Sequence, residues 1–366
     1  MIAAPGAVAV EALDPASPDV GVAAHYGDPL REQRTLATAA GLVDRSHRGV
    51  LAVRGEARAG WLHSLTTQHL TGLAGGQGTE LLVLSPHGHL EQHALVAEDG
   101  ETTWLDTEPG RAGELAAFLD RMRFFTPVTV TDETAGWALL SVVGPRPEPA
   151  LAALGLGELA APWMAEVPGP KFPAGTVPPG PTSRYAVRPL APAGAGPSGW
   201  ARRGRLGVDL LVPRAAVEEV AGRLAAAGVP PCGLWAYEAV RVAARQPRLG
   251  FETDHRTLPA EVGLLAPAVH LEKGCYRGQE TIARVHHLGR PPRRLALLHL
   301  DGIAAERPPA PHTKVSTMDG RVVGFVGTGA HHHELGMVAL ALVRRNVTVD
   351  TSLRVGESAA ALDPTD

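Results

Sequence analysis

PPRRLALLHL, residues 291–300, is where the organisation of this 366-residue chain changes. The prolines and arginines read as a hinge, and the apolar run after them reads as a strand. Beyond it the chain is strand-rich: TKVST (313–317), RVVGFVG (321–327) and GMVALALVRR (336–345). Short strands between Gly and Pro turns predict a small β-barrel over 291–356, with a frayed tail at 357–366. Upstream, strands and helices mix. Mixed order first and all-β last places the chain in the α+β class, as a multidomain protein.

Working back from the hinge, VLAVRG (50–55), TTWLDT (102–107), PVTVTD (127–132), WALLSVVG (137–144) and RRGRLGVDLLVP (202–213) read as strands. TELLVLSPHGHLEQHALVA (79–97) reads as a hairpin turning at Pro86-His87-Gly88. Apolar spacing predicts helices over 56–68, 111–122, 213–228 and 234–247. Pro213 opens the third and Gly228 follows it, while Pro247 stops the fourth. Residues 166–200 carry nine prolines and six glycines, which predicts a surface insertion around one edge strand at 183–190. Residues 1–22 are Ala/Pro-rich without a period and predict a loose arm, leaving 23–290 as the core.

Composition narrows the function classes. No run approaches the ~20 apolar residues of a membrane span, and the N-terminus lacks the basic start of a secretory signal. A net charge of −4 argues against a general nucleic-acid binder. Two cysteines, Cys232 and Cys275, supply neither a disulfide framework nor the four thiolates of an iron–sulfur cluster. A cytoplasmic protein is expected. Lysine occurs only at Lys171, Lys273 and Lys314.

The densest group of reactive side chains is EKGCYRGQETIARVHH, residues 272–287. Gly274 and Gly278 bracket Cys275 and free the backbone for a tight turn. Cys275 would precede a helix N-terminus, between Lys273 and Arg277, and all three influences favour a thiolate if the sulfur is exposed. A small buried apolar filler is the alternative. Lys273 would pair with a carboxylate, polarise a carbonyl, or simply stand exposed beside Glu272. His286 and His287 lie too far along the helix to serve as a base for the thiol. His331, His332 and His333 alternate in direction in an extended chain, so no metal site is expected there. Glu238 and Arg241, three apart on the 234–247 helix, form either an internal ion pair or a pair orienting a ligand carboxylate.

KGCYRGQET (273–281) resembles the KGCYxGQE(T/V) signature of the YgfZ family, folate-binding relatives of the glycine cleavage T-protein. Residues 41–70, 236–263 and 322–345 resemble other parts of that family, so the likeness spans about 25–355. The resemblance implies a T-protein-like cloverleaf of sub-domains around a central folate pocket. It implies tetrahydrofolate as ligand and a role in assembling or repairing iron–sulfur proteins, with client or assembly proteins as partners. Carried over, Lys273 and Cys275 stand at the pocket mouth as catalytic candidates. Tyr276, Arg277, Gly278, Gln279 and Glu280 complete the folate-binding signature; Glu238 and Arg241 join the folate-binding candidates through their helix spacing. Trp61 and Trp235 are candidate wall or core residues.

One departure bears on activity. The T-protein has paired aspartates in the second strand of its first hairpin, where this chain carries Gln92 and His93. Glycine-dependent aminomethyl transfer is therefore not expected. The alternatives are a folate-dependent transferase or demethylase acting on a small amine, and a docking module with a vestigial pocket.

Overall fold

The computed structural model describes residues 1–157, 159, 185–190, 199–288, 290–302 and 307–365. Among them, eleven strands form one sheet. Five of these, Gln77–Leu84, Leu90–Glu98, Thr102–Thr107, Gly49–Arg54 and Thr129–Asp132, make one half. The other half contains Gly41–Asp44, Trp137–Val143, Gly207–Pro213 and Trp200–Arg203, with the short parallel strand Pro231–Cys232 at its edge. Tyr185–Pro189 joins the halves, pairing Tyr185 with Gly78 and Val187 with Arg202. The strand expected at an edge is therefore the bridge of the sheet. The remainder of the proposed insertion, 166–184 and 191–198, lies outside the described residues.

Side-chain alternation gives each half two uses. Helices Arg58–Leu65 and Ala112–Arg121 cover one half through Trp61, Leu62, Leu115 and Leu119. Val217–Ala226 covers the other through Val217, Val220 and Leu224. The opposite faces meet through Val50, Ala52, Trp104, Leu139, Val187 and Leu211. Charged side chains share this inner layer, and they build the site described below.

The barrel is closed by six strands: Arg293–Leu300, Gly336–Arg344, Val322–His332, Lys314–Thr317, Leu353–Val355 and Ser358–Leu362. On its first strand, Ala296 and Leu298 face the barrel interior, while Leu295 and Leu297 pack on the core beside Leu84, Leu90 and Val242. Burial on both faces explains why this strand reads as a continuous apolar run. The last strand lies in the segment expected to fray, because it pairs with Arg293–Leu300 to close the barrel.

The N-terminal arm is also ordered. Val8–Ala9 pairs with Ala23–His25, Ile2 and Val10 are buried, and the Ile2 amide donates to Asp44 at 2.9 Å. A two-residue strand and a one-turn helix are too short to leave a period in the sequence. Next, Asp28 caps the helix Pro29–Thr38 by accepting from the Leu30 and Arg31 amides.

Candidate functional site

The two half-sheets and the helix Leu234–Ala243 border a partly open central cavity of about 70 Å³. Its walls include Arg45, His47, Arg48, Glu80, His93, Glu108, Asp209, Tyr237, Glu238, Arg241 and Arg248. Strand parity puts them there. Asp209 alternates with Val208 and Leu210, which face the helix-covered core. His93 faces the cavity, while its neighbour Gln92 turns to the opposite face and donates to Glu114 at 3.1 Å.

A continuous chain of ion pairs crosses this layer. Arg45 reaches Asp209 at 3.3 Å; Arg202 links Asp209, at 2.9 Å, to Asp106, at 2.5 Å. Arg48 joins Asp106, at 3.2 Å, to Glu108, at 2.8 Å. Arg248 then meets Glu108 at 2.9 Å, Asp19 at 2.7 Å and Glu238 at 3.4 Å. Arg241 connects Glu238, at 2.6 Å, to Glu252, at 3.3 Å. Asp19, from the arm expected to be loose, also pairs with His47 at 3.2 Å. Separately, Arg205 grips fully buried Glu80 with two hydrogen bonds of 2.8 Å, and Tyr185 and His93 bond to the same carboxylate.

Burial alone would raise these carboxyl pKa values. The guanidiniums outweigh it: Glu80 beside Arg205, Glu108 beside Arg248 and Arg48, and Asp209 beside Arg202 all lie below the usual carboxylate range. Hydrogen bonding by His47, with Arg248, does the same for Asp19. The cavity is thus lined by ionised, charge-compensated carboxylates. An acid so paired is a weak proton acceptor near neutral pH.

The signature segment stands elsewhere. Among the described residues, none of 272–280 lines the central cavity. Lys273 is buried rather than placed at a rim, and its amine donates to the carbonyls of His63, Thr66, at 2.6 Å, and Gln68, at 3.2 Å. These carbonyls lie at and just beyond the C-terminus of Arg58–Leu65, where backbone acceptors lack helical donors and the dipole favours a cation. Burial lowers the amine's pKa to about 8. Burial, then Lys273, His69 and His270, hold His63 down at about 4, so its ring is neutral at pH 7.

Cys275 is exposed on the turn that follows. Tyr276 is buried with its ring centre 5.3 Å from the Lys273 amine, and it lines a recess of about 210 Å³ with Gln279, His286 and His287. Gln279 donates to the Lys273 carbonyl at 3.1 Å, which fixes the turn. Arg277 forms a surface ion pair with Glu91 at 3.2 Å, and Glu280 is exposed. Gly278 has φ +82° and lies against the hairpin turn. A Cβ there would fall 2.7 Å from the Ser85 carbonyl oxygen and 2.8 Å from the Gly88 Cα. Two glycines in contact therefore let the signature turn dock on the hairpin.

Of the predicted site residues, only Glu238 and Arg241 reach the central cavity, and they do so as an ion pair. Trp61 is a core residue whose indole donates to the Met122 carbonyl, and Trp235 is about half exposed. The sequence reading missed Arg45, Arg48, Glu80, Asp106, Glu108, Arg202, Arg205, Asp209 and Arg248. For Glu80, Asp106 and Asp209 the signal was a lone charge inside an apolar strand run, in TELLVL, TTWLDT and GVDLLVP; the arginines and Glu108, in polar stretches and turns, left none.

Comparison with known proteins agrees with this architecture. Residues 23–165 match the GCVT N-terminal domain. An aminomethyltransferase of Chlorobaculum parvum is 26% identical over 310 residues, spanning 83% of this chain and 79% of the relative. A chloroplastic protein of Arabidopsis thaliana, named as a transferase, is 26% identical over 330 residues, spanning 88% of this chain and 69% of the relative. The crystal structure of glycine cleavage system aminomethyltransferase T from Bartonella henselae superposes with a TM-score of 0.73. That match covers 98% of this chain and 92% of the other at 19% identity. The chain has an aminomethyltransferase-like, T-protein fold, with mixed α/β content and a closed six-stranded C-terminal barrel.

Proposed function

We propose that this chain binds a tetrahydrofolate in its central cavity and supports iron–sulfur cluster assembly or repair rather than glycine cleavage. The observation that carries the reading is the state of the cavity's acids. Glu80, Glu108 and Asp209 are each ionised and held by arginine. Acids so paired can orient a polar ligand but are poor bases for an amine. The residue facing the cavity from the hairpin's second strand is His93, bonded to Glu80 at 2.8 Å.

The donor set suits a folate chemically. Carboxylates match the adjacent N–H groups of a pterin edge, and guanidiniums match the carboxylates of a glutamate tail. Leu95, Leu206 and Leu234 add apolar wall. When bound, a reduced folate would supply a one-carbon carrier. The free space of about 70 Å³ between the walls is smaller than such a ligand occupies, so binding would require the walls to separate. Support for the iron–sulfur role is the likeness of residues 273–281 to the YgfZ signature, with Cys275 exposed on its turn.

Titration calorimetry of tetrahydrofolate under reducing conditions tests the ligand on wild type and Leu95→Trp, which fills the cavity without altering a charge. Wild type is expected to saturate, and the variant to bind at least tenfold more weakly. No binding by wild type ends the folate reading; equal binding by both moves the site elsewhere. The iron–sulfur role is tested by the recovery of an oxidised iron–sulfur dehydratase in extract with and without the protein, and an identical rate would remove it. The second reading, a one-carbon transferase acting on a small amine, is favoured by the aminomethyltransferases among the relatives. It requires turnover with glycine or an N-methyl amine.

A further inference from the structure

Between the core and the barrel lies a second, wider concavity of about 970 Å³. Its walls come from the Pro291–Pro292 linker, the barrel turn 344–346, the turn 256–261 and His89 of the hairpin. We propose that this groove is a binding site for a polyphosphate-bearing ligand of nucleotide size. The proposal is independent of the folate reading.

Four arginines without counter-charge carry it. Arg256, Arg290, Arg344 and Arg345 line the groove and are exposed. Among the described residues, the guanidiniums of Arg256, Arg290 and Arg344 have no hydrogen-bond or ion-pair partner. Arg345 is tethered by its Nε to the Pro291 carbonyl at 2.9 Å, and its backbone amide donates to the Pro292 carbonyl at 3.0 Å. Its two terminal nitrogens are left for a ligand. The nearby carboxylates are already engaged: Asp254, at 2.6 Å, and Glu261, at 2.8 Å, both hold Arg293. The cations also crowd one another, since burial, then Arg294 and Arg290, lower the Arg345 pKa.

A chain with net charge −4 has no compositional reason to gather unpaired cations at one hinge. An anion relieves their repulsion. Phosphoryl groups suit the arrangement better than single carboxylates, because each brings more charge and more acceptor oxygens to planar guanidinium forks. The volume is at the upper end for small-molecule sites. Leu258, Pro291 and Pro292 give an apolar wall against which a flat ring can lie.

Calorimetry with inorganic tripolyphosphate and with ATP, both without metal and at low salt, tests the site on wild type, Arg256→Glu, Arg344→Glu and Arg31→Glu. Arg31 is an exposed arginine outside the groove and serves as the charge control. Both ligands are expected to bind wild type and Arg31→Glu alike, and about tenfold more weakly after either groove substitution. Tighter binding of ATP identifies a nucleotide as the source, and equal binding identifies bare polyphosphate. Absence of binding to wild type overturns the proposal, as does equal weakening by Arg31→Glu. A short single-stranded oligonucleotide bound more tightly than either ligand would replace it with a nucleic-acid surface.

Discussion

Replacing Lys273 by methionine separates a ligand-rim role from the structural role that the fold assigns. The substitution keeps most of the apolar stem and removes three hydrogen bonds to the carbonyls of His63, Thr66 and Gln68. A hydrogen bond to a charged group contributes roughly 1.5–3 kcal/mol. The three share one cation and are not additive, so the expected loss is about 3–4 kcal/mol. That is a factor of roughly 10²–10³ in the unfolding equilibrium. Urea unfolding followed by tryptophan fluorescence at pH 7 measures it. Wild type should also gain stability as pH rises from about 8 toward the ordinary lysine range. In that window the unfolded chain binds the proton more tightly than the folded one. Lys273→Met should lose this rise and keep wild-type tetrahydrofolate affinity. An unchanged urea midpoint together with abolished folate binding would refute the reasoning and return the amine to the ligand.

The two thiols should differ sharply under a maleimide in native buffer. Cys275 is exposed and should label completely, while buried Cys232, its thiol pushed up to about 12 by burial, should label only after denaturation. Equal labelling of both would contradict the packing. For acid stability, the lowered pKa values of Asp19, Glu80, Glu108 and Asp209 mean that their contribution is complete above the ordinary carboxylate range and is lost progressively as pH falls from that range toward the lowered folded values. The urea midpoint should therefore drop steeply below about pH 4. Glu108→Gln should flatten that drop, and an unaltered slope would show that Glu108 is not held by its arginines.

The central layer has a consequence for engineering the cavity. Removing one member of a buried ion pair strands the other, at a cost of about 3–5 kcal/mol. Arg202 holds both Asp106 and Asp209, and Arg248 holds Asp19, Glu108 and Glu238. Substituting either therefore disturbs folding and binding together. Leu95 can be enlarged without touching a charge, which makes it the cleaner probe.

Periodicity made most of the fold legible. The hairpin at 79–97, the helices at 111–122 and 234–247, and the barrel after the hinge all follow from apolar spacing and turn residues. The class α+β and the T-protein likeness were readable on that basis and on KGCYRGQET. The arm and the last barrel strand were misread, because short elements held by distant partners carry little local signal. Tyr185–Pro189 was taken for an edge, since nothing in five residues announces that strands on both sides will pair with them.

The site divided differently. Sequence by itself singled out Glu238 and Arg241, and the crowded segment around Cys275, since spacing along a helix and local composition are properties of neighbours in the chain. It could not show that Lys273 would turn inward. That choice depends on carbonyls more than 200 positions away, left without donors at a helix end. Nor could it assemble the ion-pair layer, whose partners are mostly far apart in the chain. Only closure of the two half-sheets removes those charges from water together, and only their mutual proximity keeps them ionised.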